Sequence, residues 1–436
     1  MQEIKKINLS LEWKTVTLGS CCNFQEGYVN PSQKNPEYFD GDVKWVRAVD
    51  LNDSYVYETS RTLTRKGYES AGKSALLFKP NTIVISKSGT VGRLGIIKDY
   101  MCGNRATINI VPYEDVSMKF IFYILKNYQR HFKDMAVGSV QKNLYVSILE
   151  NLEISLPSID TQNKIAKILS NIDDKIDCIQ KINKNLEQLL YNIFNNWFIS
   201  FEKFSNLEFM SSPMGEIPKG WKIGILKDLI SLTKNSINPK KTNGLPYLPI
   251  DIIPMNSLGI TELNSDDEAN SSLITFDKND ILIGAMRVYF HRVVLSPVNG
   301  VTRSTCFVLK PKKESYLSYS LLLCNLDRTI QYAQNTSKGT TMPYAVWDNG
   351  LGDMEVVIPP ENILKEFHER VFPIIEKIRD SYYEVNNLTK LRDTLLPKLM
   401  SGEIDVSKIN CDLELKYNYM KYLFNQIHTP MSNSVV

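Results

Sequence analysis

Two long stretches of the chain repeat apolar residues at steps of three and four. The first, within residues 158–203, has Ile165, Ile168, Leu169, Ile172, Ile176, Ile179, Ile182, Leu186, Leu189, Ile193 and Trp197. The second, within residues 360–402, has Phe367, Val371, Ile374, Ile378, Val385, Leu388, Leu391, Leu395 and Leu399. This spacing predicts one long amphipathic helix in each stretch. Pro373 is expected to kink the second helix or delay its start, and Pro397 to disturb its last turn.

These two apolar stripes, one in each stretch, belong to an internal repeat of about 200 residues. Trp13 and Leu18 recur 208 residues later as Trp221 and Leu226. A turn followed by an apolar strand at 79–85 recurs at 277–283, 198 residues later. At the same offset, an Arg-x-Thr motif beginning at Arg105 recurs at Arg303. The chain is therefore expected to contain two similar halves, each ending in a long helix.

Burial of the stripes favours pairing of the two helices. A stripe of about 40 residues is roughly 60 Å long at 1.5 Å per residue, longer than a compact domain of this size buries alone. Packing the helices against each other, antiparallel because each follows an equivalent unit, would cover both stripes. Two separate core helices, each within its own domain, remain the alternative.

The pattern predicts an α+β protein with two pseudo-repeated domains joined by two long helices. The first domain is expected at 1–156 and its helix at 157–204. The second domain is expected at 205–358 and its helix at 359–404. A tail at 405–436 carries Leu413, Tyr417, Met420, Phe424 and Ile427 at helical spacing, which predicts a short amphipathic helix.

Composition supports a folded protein and excludes several classes. The chain has 436 residues, with 43% hydrophobic and 23% charged residues, values typical of globular proteins. It contains no uncharged apolar run of about 18 residues, and its first residues lack the apolar stretch of a signal peptide, so we expect a cytoplasmic location. The seven cysteines form no C-x-x-C pair and the four histidines are scattered, which argues against structural zinc.

Net charge alone does not indicate a partner. The chain carries 51 basic and 48 acidic residues, a formal charge of +3, and the small basic excess falls in the first 156 residues. A nucleic-acid interface would therefore have to come from local clusters.

Three segments, in order, resemble the specificity subunits of type I restriction-modification systems. They are Met214–Trp221 opening the second repeat, Leu156-Pro157 leading into 162–173, and Leu399–Ile404 closing the second helix. The resemblance covers roughly residues 10–405. It implies two target recognition domains, each followed by a conserved helix, with the helices forming an antiparallel coiled coil. Each domain would read one half of a split, asymmetric sequence in double-stranded DNA.

The same resemblance implies a chain without catalysis or a cofactor of its own. Its expected partners are modification subunits, two copies, which use S-adenosylmethionine to methylate adenine. Motor-nuclease subunits that use ATP and magnesium are further expected partners, and no membrane is involved. A coiled-coil scaffold that binds proteins and not DNA is the rival interpretation, and an enzyme with an unrecognised site is another.

Two loops after predicted strands are candidates for DNA contact. The segment 86–93 combines Lys87, Ser88 and Arg93 with two glycines that permit close backbone approach. Its counterpart, 284–292, has Arg287, Tyr289 and Arg292. Arginine can bind guanine through two hydrogen bonds, which makes these side chains candidate base readers. Solvated hairpin tips are the alternative.

A second pair of polar segments lies further along each repeat. Ser139, Gln141 and Lys142 in the first, and Lys338 and Thr340 in the second, suit phosphate or base contact, glutamine matching adenine. The alternative is a polar turn before a strand.

Arg105 and Arg303 precede strands in both repeats. Because they recur in domains with different targets, a shared role is expected, either phosphate binding or a structural ion pair.

Neither of two local sequence motifs for catalysis or nucleotide binding is supported in this chain. Gly67–Ser74 matches G-x-x-x-x-G-K-S, but a phosphate-binding loop follows a buried strand and opens a helix, and the residues before Gly67 are polar. The adenine methyltransferase signature of Asn or Asp before Pro-Pro and an aromatic is absent, since Ile358 precedes Pro359-Pro360.

Overall fold

The computed structural model describes residues 13–138, 142–260, 263–264 and 273–406. It divides into two compact units, one formed by residues up to Lys175 together with those from Thr389 onward, the other by Ile176–Leu388. Both long helices are shared between the units, so the segment boundaries given above stay predictions. The tail residues from 407 onward, with the predicted helix, lie outside the described residues.

The elements of the first unit alternate short strands and helices. Its strands are β1 (Lys14–Thr17), β2 (Cys22–Glu26), β3 (Phe39–Val46), β4 (Ser54–Val56), β5 (Thr62–Leu63), β6 (Ile83–Ser86), β7 (Leu94–Ile97), β8 (Met101–Gly103), β9 (Thr107–Pro112) and β10 (Glu153–Leu156). Its helices are α1 (Arg65–Glu69), α2 (Met118–Tyr128), α3 (Phe132–Met135) and α4 (Val146–Glu150), followed by α5 (Ile159–Phe198), which continues into the second unit.

The second unit repeats this plan. Its strands are β11 (Phe209–Ser212), β12 (Gly215–Pro218), β13 (Lys222–Ile225), β14 (Ile230–Leu232), β15 (Ser236–Ile237), β16 (Leu273–Phe276), β17 (Ile281–Gly284), β18 (Val293–Leu295), β19 (Gly300–Arg303), β20 (Cys306–Pro311) and β21 (Glu355–Ile358). Its helices are α6 (Leu226–Leu229), α7 (Leu317–Cys324), α8 (Asp327–Asn335) and α9 (Glu361–Met400).

The order of the main sheet, and the two-stranded sheet before each long helix, confirm the internal repeat. The three-stranded sheets differ, since β3 pairs with β8 in parallel and β16 pairs with β19 antiparallel. In the first unit the sheets are β2-β9-β6-β7-β4, β5-β3-β8 and β1-β10. In the second they are β14-β20-β17-β18, β15-β16-β19 and β13-β21, with β11-β12 as an additional hairpin. The predicted turn and apolar strand are found in both units, since Asn81 and Asn279 adopt positive φ before β6 and β17. All four residues of each of these strands are buried.

The strand register shows that one loop differs in length between the two units. Ile83 of β6 pairs with Ile96 of β7, whereas Ile281 of β17 pairs with Leu295 of β18. The loop between β17 and β18 is therefore one residue longer than the loop between β6 and β7. The next two strands of the second unit, β19 and β20, are shifted by that one position.

This shift corrects one part of the sequence alignment. Arg303, the last residue of β19, corresponds to Asn104 and not to Arg105. Arg105 lies in the turn between β8 and β9. The two arginines do not occupy equivalent positions.

Helices α5 and α9, each of 40 residues, run antiparallel within each unit. In the first unit Asp173 of α5 accepts a hydrogen bond from Arg392 of α9. In the second, Glu187 lies beside Tyr382, and the ring of Trp197 lies 5.4 Å from that of Phe367. As residue number rises on α5 it falls on α9, which confirms the predicted antiparallel coiled coil.

The expected delay at Pro373 was wrong, because α9 begins at Glu361 and continues past both prolines. Proline removes one backbone hydrogen bond from a helix. Val371 and Ile375, on either side of Pro373, are buried in the core of the second unit. Tertiary burial of this face outweighs the local loss.

The repeated tryptophans pack against the far ends of the long helices. In the first unit the ring of Trp13 lies against Gly402, just after α9, and 6.4 Å from that of Phe120. In the second, Trp221 lies 6.0 Å from Phe198 at the end of α5 and 5.2 Å from Phe204. Each tryptophan thus ties the start of a unit to a helix end.

None of the helices within the described residues is long and apolar enough to span a membrane.

Candidate nucleic-acid interface

Three segments of the first unit meet at one place, which we call the first loop cluster (residues 87–93, 104–106, and 137–138 with 142–144). The amide of Lys87 donates to the carbonyl of Ala106 at 2.7 Å, and the amide of Leu144 donates to the carbonyl of Lys87 at 2.8 Å. The structure therefore brings together segments that lie far apart in the sequence.

The second unit builds the same arrangement, the second loop cluster (residues 285–292, 304–305 and 338–345). The amide of Ala285 donates to Thr305, and the amide of Ala345 donates to Ala285, both at 2.8 Å. Lys338 and Tyr344 exchange two backbone hydrogen bonds of 2.9 Å, as Val137 and Asn143 do in the first cluster. The predicted candidate segments of each repeat thus converge in both units.

The loop that carries Arg93 has a fixed backbone. The hydroxyl of the buried Ser86 accepts from the amide of Arg93 at 2.9 Å and donates to the carbonyl of Thr90. Gly92 has φ +88° and lies against Phe132, where a Cβ atom would be 3.2 Å from the phenylalanine Cβ. The Arg93 side chain is exposed on this rigid loop.

The other candidate side chains of the first loop cluster differ in how exposed they are and in whether they already have a partner. Lys87 is only 17% exposed and forms an ion pair of 2.6 Å with Glu26 of β2. Ser88 is half-buried and Arg105 is exposed. The exposed Lys142 donates to the carbonyl of Lys133 at 3.1 Å.

Ser139 and Gln141 lie outside the described residues.

In the second loop cluster Arg287 and Tyr289 are exposed, whereas Arg292 is half-buried and hydrogen-bonded within the unit. The guanidinium of Arg292 donates to the carbonyl of Ile253 at 2.7 Å and also to that of Ile250. It therefore holds the turn at 250–253 in place. Arg287 adopts a positive φ of 49°, and its amide donates to Pro343 at 2.8 Å, which fixes its backbone against the hairpin.

Arg303 is placed unlike Arg105. Its guanidinium lies 5.8 Å from the ring of Tyr247, and its buried Nε has no hydrogen-bond partner among the described residues. The exposed side chain of Arg105, by contrast, is available to a ligand.

Lys338 and Thr340 lie at the tip of the second hairpin and are both exposed. Gly339 between them has φ +87°, a conformation that permits the tight turn. Two apolar neighbours on the same hairpin, Met342 and Tyr344, are each about half exposed.

Sequence reasoning missed these exposed apolar side chains, because it searched for basic and amide groups. In the first unit Val137, which pairs with Asn143, and Tyr145 are exposed as well. Tyr28 is a further case. It lies between Gly27, whose amide donates to Thr107, and Val29, whose amide donates to Gly103, so it stands beside the first loop cluster. Apolar and aromatic side chains of this kind can contact thymine methyl groups or stack on bases.

The segment Gly67–Ser74 does not form a loop between a strand and a helix. Gly67 lies inside α1, packed on the carbonyl of Tyr38, and Gly72–Ser74 form a 3₁₀ turn. Among the described residues, no group of three or more His, Cys, Asp or Glu side chains could hold a metal ion.

Comparison with known proteins places the chain in a family. Residues 10–188 match the family described as "Type I restriction modification DNA specificity domain". The type I restriction enzyme MjaIX specificity subunit of Methanocaldococcus jannaschii is 32% identical over 407 residues, covering 88% of this chain and 91% of that one. The chain belongs to the family of type I restriction enzyme specificity subunits. The MjaVIII specificity subunit of the same organism is 21% identical and covers 94% of this chain and 97% of its own.

A solved structure supports the fold of this specificity subunit. The type I restriction-modification S subunit from M. genitalium aligns with a TM-score of 0.59 at 19% identity, covering 90% of this chain and 97% of that one. The resemblance drawn from the three sequence segments is thereby confirmed, as is the α+β class with two repeated units and paired helices.

Proposed function

We propose that this specificity subunit binds double-stranded DNA and reads a split, asymmetric sequence, one half with each unit. The observation that carries the proposal is the pair of loop clusters, which have the same backbone connections but different side chains. A shared scaffold with different exposed groups is what two readers of unlike half-sites require. Base-edge contacts would supply the sequence preference, and phosphate contacts the affinity.

Arg93 and Arg287 are the base readers in this proposal. Each is an exposed arginine on a loop whose backbone is fixed by hydrogen bonds. A guanidinium can donate two hydrogen bonds to guanine, which is worth about 1–3 kcal/mol of discrimination. Ser88 and Tyr289 lie on the same loops and would supplement them.

The other exposed basic residues of the two clusters would bind phosphates. Arg105, Lys142 and Lys338 are exposed, as is the hydroxyl-bearing Thr340. Such contacts set orientation on the duplex without reading its sequence. Ser139 and Gln141 stay candidates for the first half-site on sequence grounds alone.

Three predicted contact residues would act indirectly. Lys87 is paired with Glu26, Arg292 holds the turn at 250–253, and Arg303 lies over Tyr247. Their proposed role is to fix the loops that carry the exposed readers.

The long helices would set the gap between the half-sites. Two readers meet the same face of a duplex only when their separation fits its repeat of about 34–36 Å per turn. A pair of 40-residue helices is a stiff spacer, so one chain would accept one gap length.

Catalysis would belong to partners. We expect two modification subunits, which hold S-adenosylmethionine and methylate adenine, and motor-nuclease subunits that use ATP and magnesium. The helices are the proposed docking surface for the modification subunits. Ile182 and Leu189, seven residues apart on α5, are 45% and 43% exposed, and exposed apolar side chains on one helix face are typical of a protein interface.

Selection from random DNA tests the proposal. The complex of this chain with its modification subunits is mixed with a library of random duplexes, and the bound DNA is sequenced at two salt concentrations. We expect enrichment of two unlike short sequences at a fixed separation, with binding that weakens as salt rises. A protein scaffold would give no enriched sequence, and one contiguous sequence would contradict two separate readers.

A further inference from the structure

A buried charged cluster joins three helices of the first unit. Asp173 of α5 is 5% exposed and accepts from the hydroxyl of Tyr123 of α2 at 2.7 Å. Arg392 of α9 donates to the other carboxylate oxygen at 2.7 Å. The ammonium of Lys126, also on α2, lies 3.5 Å from Asp173 and donates to the carbonyl of Asp53 at 2.9 Å. We call these four side chains the Asp173 cluster: Tyr123, Lys126, Asp173 and Arg392.

The cluster depends on each of its members. Burial lowers the pKa of Lys126, and the adjacent Asp173 carboxylate opposes that shift. Burial also raises the pKa of Tyr123 well above its ordinary value, with Asp173 adding to the effect, so the phenol stays a hydrogen-bond donor. The buried Asp173 carboxylate therefore contacts two cations and a hydroxyl where little water reaches it, and Arg392 also pairs with the more exposed Asp393 at 2.8 Å.

Stability alone does not account for such a cluster. Apolar side chains of similar volume often hold a core together as well as a buried ion pair or better, because charges must lose their hydration. A hydrogen-bonded network differs in that it tolerates only one arrangement of its partners. The Asp173 cluster is therefore suited to fixing an orientation.

The position of the cluster identifies what it orients. Helix α2 packs on β7 and β9 of the main sheet, and β6, which leads into the loop of Arg93, lies between those two strands. Lys126 and Tyr123 of this helix reach Asp173 of α5, which is bound in turn by Arg392 of α9. The sheet that bears the first loop cluster is thus tied through this cluster to both long helices. Tyr55 of β4, whose hydroxyl donates to Asp174 at 2.7 Å, adds a separate contact to α5 alone.

We propose that the Asp173 cluster holds the sheet and loops of the first unit in one orientation on α5 and α9, and so limits the DNA target to one gap length. The inference rests on the proposed function. A gap longer or shorter by one base pair moves a half-site by about 3.4 Å along the duplex and turns it by about 35°. Contacts of 2.7 to 3.5 Å do not survive a displacement of that size.

The second unit is held by different side chains. The helix repeat, with its offset of 202 residues, places the apolar Ile375 where Asp173 stands. There, Arg379 of α9 donates to Asn279 before β17 at 2.8 Å, and Glu187 of α5 accepts from the amide of Leu258 at 3.1 Å. The Asp173 cluster is accordingly a device of the first unit.

The test uses the complex with its modification subunits and duplexes that carry the selected half-sites at the natural gap and at gaps one base pair longer and shorter. One variant replaces the whole cluster by apolar side chains: Tyr123→Phe, Lys126→Met, Asp173→Leu and Arg392→Met. This variant should keep its fold, because no buried charge is left unpaired. Asp173→Asn is the single-residue variant, and Arg370→Ala, which removes an exposed ion pair with Glu366 on α9, is the control.

We expect the natural chain and Arg370→Ala to bind only the natural gap well. Both cluster variants should lose at least about ten-fold of the preference for the natural gap over its neighbours, with the half-site sequences unchanged. Equal weakening at all three gaps in the folded apolar variant, or an unchanged preference, would overturn the inference. Failure of the natural chain to select any split sequence would instead overturn the proposed function, and this inference with it.

Discussion

Arg93 and Arg287 each combine an exposed guanidinium, which can donate two hydrogen bonds to one base, with a backbone fixed by hydrogen bonds. We predict that Arg93→Ala relaxes sequence preference in one half-site only and that Arg287→Ala relaxes the other. Loss of a two-point contact to guanine should reduce discrimination at one base pair by about 1–3 kcal/mol. Selection from random duplexes with each variant measures this directly.

Lys338→Ala is the matched control for these two substitutions. It removes an exposed charge from the second loop cluster, so it should weaken binding to all sequences and make binding less dependent on salt. Loss of preference in both half-sites after either arginine substitution would argue against separate readers.

His368 of α9 gives the second unit a pH-dependent contribution to stability. Its Nδ1 lies 2.9 Å from the hydroxyl of the buried Ser318, and its ring stacks on Phe372. Burial lowers the pKa of His368, while Glu314, Glu369 and Glu376 partly oppose the shift. As pH falls below 6.5, the ordinary value, the unfolded chain takes up this proton before the folded chain does. The free energy of unfolding should therefore decrease.

Urea denaturation on either side of that pH measures the effect. His368→Gln should show a smaller decrease between the two pH values than the natural chain, whereas His131→Gln, at an exposed position, should follow the natural chain. An identical decrease in all three would exclude the assigned role of His368.

At the residue scale, the sequence identified the segments that come together in the structure, but not the partner that each basic side chain binds there. By its sequence, Lys87 belongs to a polar loop. In the structure its ammonium forms an ion pair with Glu26, on a strand much earlier in the chain. Arg292 likewise binds the carbonyls of Ile250 and Ile253, in a turn well before its own loop. Partners that are distant in sequence decide such roles, and local spacing carries no signal for them.

At the element scale, periodicity located both long helices because each buries a continuous face. The helices run from Ile159 to Phe198 and from Glu361 to Met400, close to the stripes that predicted them. The delay of the helix start predicted from Pro373 was wrong for the same reason, because the buried face of α9 continues through that residue. The mismatch of Arg105 and Arg303 was missed because loop length is not visible in strand patterns, and the loop between β17 and β18 is one residue longer than its counterpart.

Asn183 interrupts the apolar face of α5. It is 1% exposed, and neither atom of its amide group has a hydrogen-bond partner among the described residues. Asn183→Leu should raise the free energy of unfolding by about 1–2 kcal/mol, because an unsatisfied buried polar group is removed. Thermal unfolding would show this as a rise of a few degrees. Asn185→Leu, at an exposed position two residues on, should change the free energy of unfolding by less than about 0.5 kcal/mol. A lower free energy of unfolding for Asn183→Leu would show instead that the amide is stabilising.

Ile182 and Leu189 test the docking role of the helices. Ile182→Asp and Leu189→Asp together place charges on an exposed apolar face, so they should abolish copurification of the modification subunit while leaving thermal stability nearly unchanged. Gln180→Asp adds a charge at an exposed polar position of the same helix and should leave copurification intact. Normal copurification of the double variant would place the docking surface elsewhere.

At the scale of the whole molecule, the internal repeat was the most informative feature of the sequence. The repeated tryptophans, turns and helices predicted two similar units, and the sheet orders bear this out. The meeting of three loops in each unit could not be predicted, because it depends on hydrogen bonds between distant segments, such as that from Leu144 to Lys87.

We propose that this one chain directs methylation to two unlike half-sites at a fixed separation. The most direct measurement is a map of adenine methylation across a genome by single-molecule sequencing, in cells that carry the cognate modification subunit with and without this chain. We expect one split motif with unlike halves and a single gap, present only in cells that carry the chain. Absence of such a motif, with both subunits expressed and associated, would contradict it.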